Sequence, residues 1–245
     1  MKRPSVTAEN HREVYEYFGA RTPNPKTARF LHRLFGVIYH PNTALQKDAE
    51  HTITEHFKAG GQMLVAARHV SAHDPLVLAS VVQHETALRP LIGTIFIPAH
   101  VGLFKHRTIR PFLDNFVALP TYRGKDIAKL GLSADDAEAL RASTGKAFVE
   151  MSIAKINEGW DFAIFPSGSR KENTVRSGIG RIACNLKNPD NVRILPIAID
   201  YSQTATNLNP NVFVGAPLEL PKTPDAVTAL VTASLQACVD RAEAM

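Results

Sequence analysis

The sequence predicts an α/β fold in which a mixed central sheet is flanked by helices. A short N-terminal helical segment, residues 1–41, precedes a main domain spanning 42–245. Three observations carry this expectation. Short apolar runs such as Met63-Leu64-Val65-Ala66-Ala67 and Phe162-Ala163-Ile164-Phe165 have the length of buried strands. Each is followed by a polar turn and then a helix-like stretch, the alternation from which layered α/β domains are built. With 245 residues, 44% of them hydrophobic, the chain has enough apolar material for one large core.

Taken in order, residues 9–18 read as a helix closed by Gly19, and Arg21-Thr22-Pro23-Asn24-Pro25 as a loop. A second helix, 27–39, lines up Phe30, Leu31, Leu34, Phe35 and Ile38 along one stripe, with Arg29, His32 and Arg33 elsewhere. That stripe either packs on the main domain or lies on a bilayer surface. Residues 42–59, carrying Leu45, Ala49, Ile53 and Phe57, read as a third helix ended by Gly60-Gly61. Strands are expected at 62–67, 92–97, 116–120, 162–165 and 193–200. A long helix, 133–158, opens on the capping sequence Ser133-Ala134-Asp135-Asp136 and closes at Gly159. Its alanines at 134, 137, 139, 142, 147 and 154 point to close packing on the sheet. Helices at 178–186 and 223–244 complete the alternation.

Charge is unevenly placed around a net +5. Residues 86–129 hold seven Lys or Arg against Asp114 and Asp126, and residues 165–193 hold six against Glu172 and Asp190. This clustering suits a phosphate, an acidic carrier protein or an anionic membrane face. No helix-turn-helix, zinc-finger or aromatic ribonucleoprotein pattern accompanies it, so nucleic acid is not expected as a partner. No run approaches the ~18 to 20 apolar residues of a membrane span, and Met1 to Asn10 lack the apolar core of a signal peptide. A cytoplasmic protein is therefore expected, with contact at the inner membrane face. Cys184 and Cys238 fall in apolar helical surroundings and read as buried thiols.

The stretch Arg68-His69-Val70-Ser71-Ala72-His73-Asp74-Pro75 stands between two apolar runs, at the end of a strand and the start of a helix. Three readings are open there. Asp74 could simply cap a helix beginning at Pro75. His69 and His73 could be metal ligands at i and i+4, although the helical Glu of a zincin is Val70 here and no third ligand stands at a telling distance. Alternatively, Asp74 could turn back to hold the Nδ1–H of His69, leaving Nε2 as a general base for a hydroxyl.

A second polar turn, Phe165-Pro166-Ser167-Gly168-Ser169-Arg170-Lys171, also follows a buried strand and can converge with the first at one sheet edge. Four blocks then stand in order: His69-x4-Asp74, Leu119-Pro120-Thr121-Tyr122-Arg123-Gly124-Lys125, Phe165-Pro166-Ser167-Gly168-Ser169-Arg170, and Leu195-Pro196-Ile197-Ala198-Ile199. From about Met63 to about Leu220 these resemble the glycerolipid acyltransferases, which acylate glycerol phosphate and lysophosphatidic acid. Two positions depart from the commoner pattern: Ser167 replaces a Glu, making Pro166-Ser167-Gly168-Ser169-Arg170 more like the soluble glycerol-phosphate enzymes, and Arg68 stands where Asn is usual.

The resemblance implies a glycerol-phosphate acyltransferase-like sheet and transfer of an acyl group from acyl-CoA or acyl carrier protein, with no other cofactor, to glycerol 3-phosphate or lysophosphatidic acid. His69 would be the base and Asp74 its orienter. Arg123, Lys125 and Arg170, with Lys171, would hold the acceptor phosphate, while Ser167, Gly168 and Ser169 would contact substrate. Lys105-His106-Arg107-Thr108-Ile109-Arg110 would lie beside the channel, or form a solvated basic face. The rival is a non-catalytic lipid or acyl-carrier binding protein on the same fold.

Overall fold

A computed structural model describes residues 3–170, 174–204 and 206–245. Two helices come first, α1 (His11–Gly19) and α2 (Pro25–Ile38). α2 begins where the Asn24 side chain accepts the Lys26 N–H and Pro25 presets the first turn. The expected helix at 42–59 is instead a strand, β1 (Asn42–Leu45), and a shorter helix, α3 (Ala49–Lys58). Asp48, at φ 65°, makes the left-handed turn between them, a conformation Asp tolerates better than most residues. Then follow β2 (Gln62–Ala67), α4 (Asp74–His84), β3 (Ile95–His100), α5 (Arg110–Asn115), β4 (Ala118–Thr121), α6 (Gly124–Ala128), α7 (Ala134–Asn157) and β5 (Asp161–Ile164). The chain ends with α8 (Gly178–Ala183), β6 (Val192–Asp200), β7 (Asn211–Val214), β8 (Leu218–Glu219) and α9 (Pro224–Glu243).

The strands form one mixed sheet in the order β1-β7-β6-β2-β5-β3-β4, with β8 beside β6. β6, β2, β5, β3 and β4 run parallel, while β7 and β8 run antiparallel to β6. β1 earns its strand geometry from β7, pairing Asn42 with Asn211 through Leu45 with Val214. A parallel sheet must be covered on both faces, and here alternate residues of β2 serve two cores. Leu64 and Ala66 join Val14, Phe18, Phe96, Phe162 and Ile194. Met63, Val65 and Ala67 face the other way, toward Leu31, Phe35, Ile53 and Val77. Each such large apolar side chain, fully buried, contributes roughly 1.5 to 3 kcal/mol.

Two expectations about helix faces are corrected. On α7 the buried residues are Thr144, Ser152, Lys155 and Ile156, while Ala134, Ala139, Ala142 and Ala154 are exposed, so its alanines are not the packing face. On α2 the stripe splits. Leu31 and Phe35 are buried with His32, whose Nδ1 bonds the Ala79 carbonyl, whereas Phe30 and Ile38 face solvent. α1 is part of the core: Val14, Tyr15 and Phe18 are buried and the Tyr15 hydroxyl donates to the Pro120 carbonyl at 2.8 Å.

Candidate active site

Loops leaving the carboxyl ends of β2, β5, β3, β4 and β6 gather along one edge of the sheet, where open α/β sheets build their sites. β2 stays paired one residue past its end, the Arg68 N–H donating to Ile197 at 3.0 Å, which fixes where His69 emerges. Asp74 is the first residue of α4 and is completely buried. It does not cap the helix. Its Oδ2 instead accepts the His69 Nδ1–H at 2.8 Å and the backbone N–H groups of Val70 and Ser71 at 2.7 and 2.8 Å. Its Oδ1 accepts the Tyr201 hydroxyl at 2.8 Å.

Four donors thus converge on two oxygens. A carboxylate only accepts, so the imidazole proton lies on Nδ1 and Nε2 is left bare. The ring is held flat as well: Phe165 stacks on it with centroids 4.3 Å apart and planes 25° from parallel. His73, the other candidate ligand, bonds the Tyr39 hydroxyl through Nδ1 at 2.7 Å.

The second turn closes on itself. Gly168 takes φ 65° and its N–H donates to the Phe165 carbonyl at 2.9 Å, while the Ser167 hydroxyl donates to the Ser169 carbonyl at 2.8 Å. Ser167 is therefore a brace for the turn, offering a substrate only its acceptor lone pairs. The Arg176 N–H bonds the Pro166 carbonyl at 3.0 Å, tying the far end of the loop back to its start. Arg170 is exposed, and Lys171 lies outside the described residues.

An acyltransferase family model matches residues 48–200, well over half of the chain. The chain belongs to the acyltransferase family. No curated protein matches it. In this acyltransferase the matched segment runs from the turn before α3 to the last residue of β6, and so contains His69, Asp74, the Phe165–Arg170 turn and Arg123, but not α9.

Arg123 and Lys125 flank the start of α6, beyond β4, Arg123 half-buried and Lys125 exposed. Three strand spacings separate β4 from β2, roughly 14 Å at the usual interval. Asp126 anchors this turn, its Oδ2 accepting the Arg123 N–H at 3.0 Å and bonding His100 Nε2 at 2.9 Å. Burial alone would raise the Asp126 carboxyl, but the Arg123 N–H and then His100 hold it below its ordinary value.

Beside His69 opens a cavity of about 280 Å³. Arg68, His69, Pro166 and Ser167 line one side and α9 lines the other; Arg123, Lys125 and Arg170 are not on its wall. Sequence reasoning missed Tyr201, His100, Asp126 and the whole contribution of α9. Tyr201 carried a signal, since it follows a strand ending at the same sheet edge. The α9 residues carried none, being spaced as an ordinary packing face.

Proposed function

We propose that this acyltransferase moves a fatty acyl group from a thioester, acyl-CoA or acyl carrier protein, to the hydroxyl of a glycerol-phosphate-type acceptor in phospholipid synthesis. The observation supporting it is the His69 imidazole, oriented through Nδ1 by a buried Asp74 and lining a cavity. A base so held takes the proton of an alcohol as its oxygen attacks the thioester carbonyl. The C–O bond forms, the C–S bond breaks, and the proton passes from Nε2 to the leaving thiolate. No residue need be acylated, and the chain has no Gly-x-Ser-x-Gly elbow.

Arg123 and Arg170 supply the phosphate clamp in this reading, Arg being suited to paired N–H contacts with phosphate oxygens. Lys125 adds charge at the same turn. Ser167, Gly168 and Ser169 shape the loop that presents Arg170. The acceptor is a lipid or leads to one, and the protein meets an anionic membrane through the outer face of α2 and the segment 103–112, where Phe30, Val37 and Phe112 are exposed among Lys26, Arg29, Arg33 and Arg107.

The test is thiol release by purified protein from acyl-CoA and acyl carrier protein, with glycerol 3-phosphate, lysophosphatidic acid or a zwitterionic lysolipid as acceptor. Acceptor-dependent release is expected with the two anionic acceptors. His69→Ala should lose about 10²- to 10⁴-fold in kcat with its circular dichroism unchanged, the usual worth of a positioned base. A variant keeping more than about a tenth of wild-type turnover would remove His69 from the chemistry.

A further inference from the structure

Tyr201 is the first residue past β6, and it stands one position beyond the segment that matches the family. Its turn is braced on both sides. The buried Asp200 accepts the Ser202 N–H at 3.1 Å and the Ser202 hydroxyl, while the Tyr201 carbonyl accepts the Thr204 N–H and hydroxyl at 3.2 and 3.1 Å. β6 runs parallel to β2 with Ile197 opposite Ala67, so the end of β6 overhangs the start of α4. There the Tyr201 hydroxyl donates to Asp74 Oδ1, and among the described residues it is the donor that this oxygen has. His69 uses the other oxygen, so the two side chains share one carboxylate without competing for a lone pair. Asp74 is completely buried, and losing the phenol would leave Oδ1 without a donor. The neighbouring ionisable groups have other partners. Tyr39, at the end of α2, bonds His73, and Arg68 pairs with Glu243 of α9 at 3.1 Å.

We propose that Tyr201 is a positioning residue for acyl transfer, acting on His69 through Asp74 by fixing the carboxylate and moderating its hold on the imidazole's protons. The inference rests on the acyl-transfer reading above and adds a residue to it. A base in this reaction has two duties: it takes the proton of the attacking hydroxyl and then gives it to the leaving thiolate. Asp74 helps the first by stabilising the imidazolium, and a carboxylate that held the imidazolium too strongly would slow the second. Hydrogen bonds to the charged form spread its charge and make it a weaker proton acceptor. The Tyr201 hydroxyl supplies such a bond on the side away from His69, and so tempers the base without touching it or the substrate.

The experiment compares Tyr201→Phe, which keeps the ring and removes the hydroxyl, with Tyr39→Phe, which takes a phenol from His73 and none from Asp74. Rates are measured against pH with acyl-CoA and the acceptor that the wild type uses. Tyr201→Phe should lose about tenfold in kcat with both KM values near wild type, the lower end of what a hydrogen bond to a charged group is worth. The acid limb of its kcat/KM profile should move to higher pH, because Asp74 and His69 both keep their protons longer once the donor is gone. Tyr39→Phe should leave that limb in place. In an Asp74→Asn background Tyr201→Phe should cost little more, since the group it acts through is already lost. A limb unmoved in Tyr201→Phe, or moved equally in Tyr39→Phe, would overturn the proposal. So would a kcat loss carried undiminished into the Asp74→Asn background. Should the wild type turn over no thioester, the acyl-transfer reading fails by itself. NMR titration of the His69 imidazole, assigned with His69→Ala, then decides the role of Tyr201: titration at higher pH in Tyr201→Phe than in wild type upholds it, and identical curves overturn it.

Discussion

Asp74 is worth more to His69 than a single contact. Two backbone N–H groups and the Tyr201 hydroxyl fix the carboxylate before the imidazole is considered, so the ring is oriented by a group that cannot itself rotate away. Burial, and then the negative charge of Asp74, push the Tyr201 phenol far above its ordinary value, so it remains a donor at every working pH. The phosphate clamp proposed above is drawn differently, from cations on two turns, Arg123 after β4 and Arg170 after β5. Ser167 is small and neutral and adds no carboxylate to compensate them, which in the proposed reading favours a doubly charged phosphomonoester over a zwitterionic headgroup. Arg170→Ala and Arg123→Ala should therefore raise the acceptor KM while leaving the thioester KM near wild type. A charge-assisted contact of ~1.5 to 3 kcal/mol corresponds to roughly a ten- to hundredfold change. Initial rates against each substrate, with the other saturating, check this. If only the thioester KM moved, the basic turns would serve the donor's carrier instead of the phosphate.

The strand β5 carries its own pH dependence at the sheet edge opposite the site. Its first residue, Asp161, accepts the Met63 N–H and the Thr94 hydroxyl, both at 2.7 Å, so one buried carboxylate ties β5 to β2 and to the start of β3. Burial raises its pKa to about 6, against 3.8 for an ordinary Asp, despite those two donors. As the folded value lies above the unfolded one, the folded chain takes up this proton first. Stability contributed by the group therefore rises as pH falls from above 6 toward 4, and the cost of the buried charge is fully present above pH 6. Asp161→Asn should abolish that component, giving a melting temperature that gains less than the wild type's between pH 8 and pH 5. Parallel changes in the two proteins would mean that Asp161 does not titrate in this range. β5 and β2 were legible in the sequence because strands buried on both faces are continuous apolar runs. β1 was not: it is an edge strand whose partner lies 169 residues away, and its leucine continues the spacing of the helix that follows. The alanines of α7 misled for a related reason, since high helix propensity says nothing about which side a helix buries. The His69–Asp74 contact spans only five residues and could be anticipated, whereas Tyr201 reaches Asp74 only because β6 happens to lie beside β2.

The outer surface of α2 bears on how the lipid acceptor proposed above would arrive. Among the described residues no helix is long and apolar enough to cross a membrane. α2 nevertheless turns Phe30 (62% exposed) and Val37 (72%) outward, with Ile38 beside them. Ring contact between Phe112 and Phe35, on the buried side of α2, with centroids 6.3 Å apart, joins α2 to α5, where Phe112 and the preceding Ile109 are also exposed. Lys26, Arg29 and Arg33 border the stripe along α2, and Lys105 and Arg107 stand close to it in the chain before α5. An apolar band with a cationic border is the construction of an interfacial helix, driven into the headgroup region by area and held there by anionic lipid. Burying one Phe contributes roughly 1.5 to 3 kcal/mol, so Phe30→Ser combined with Val37→Ser should weaken vesicle binding by about tenfold or more. The electrostatic part acts over ~8 to 10 Å at physiological salt, so wild-type binding should be stronger to anionic than to neutral vesicles and should fall as salt rises. Co-sedimentation of wild type and double variant with both vesicle types at two salt concentrations measures each contribution. Binding that ignores lipid charge and salt would remove the cationic border from the account, and binding that survives the double substitution would move the contact to another face.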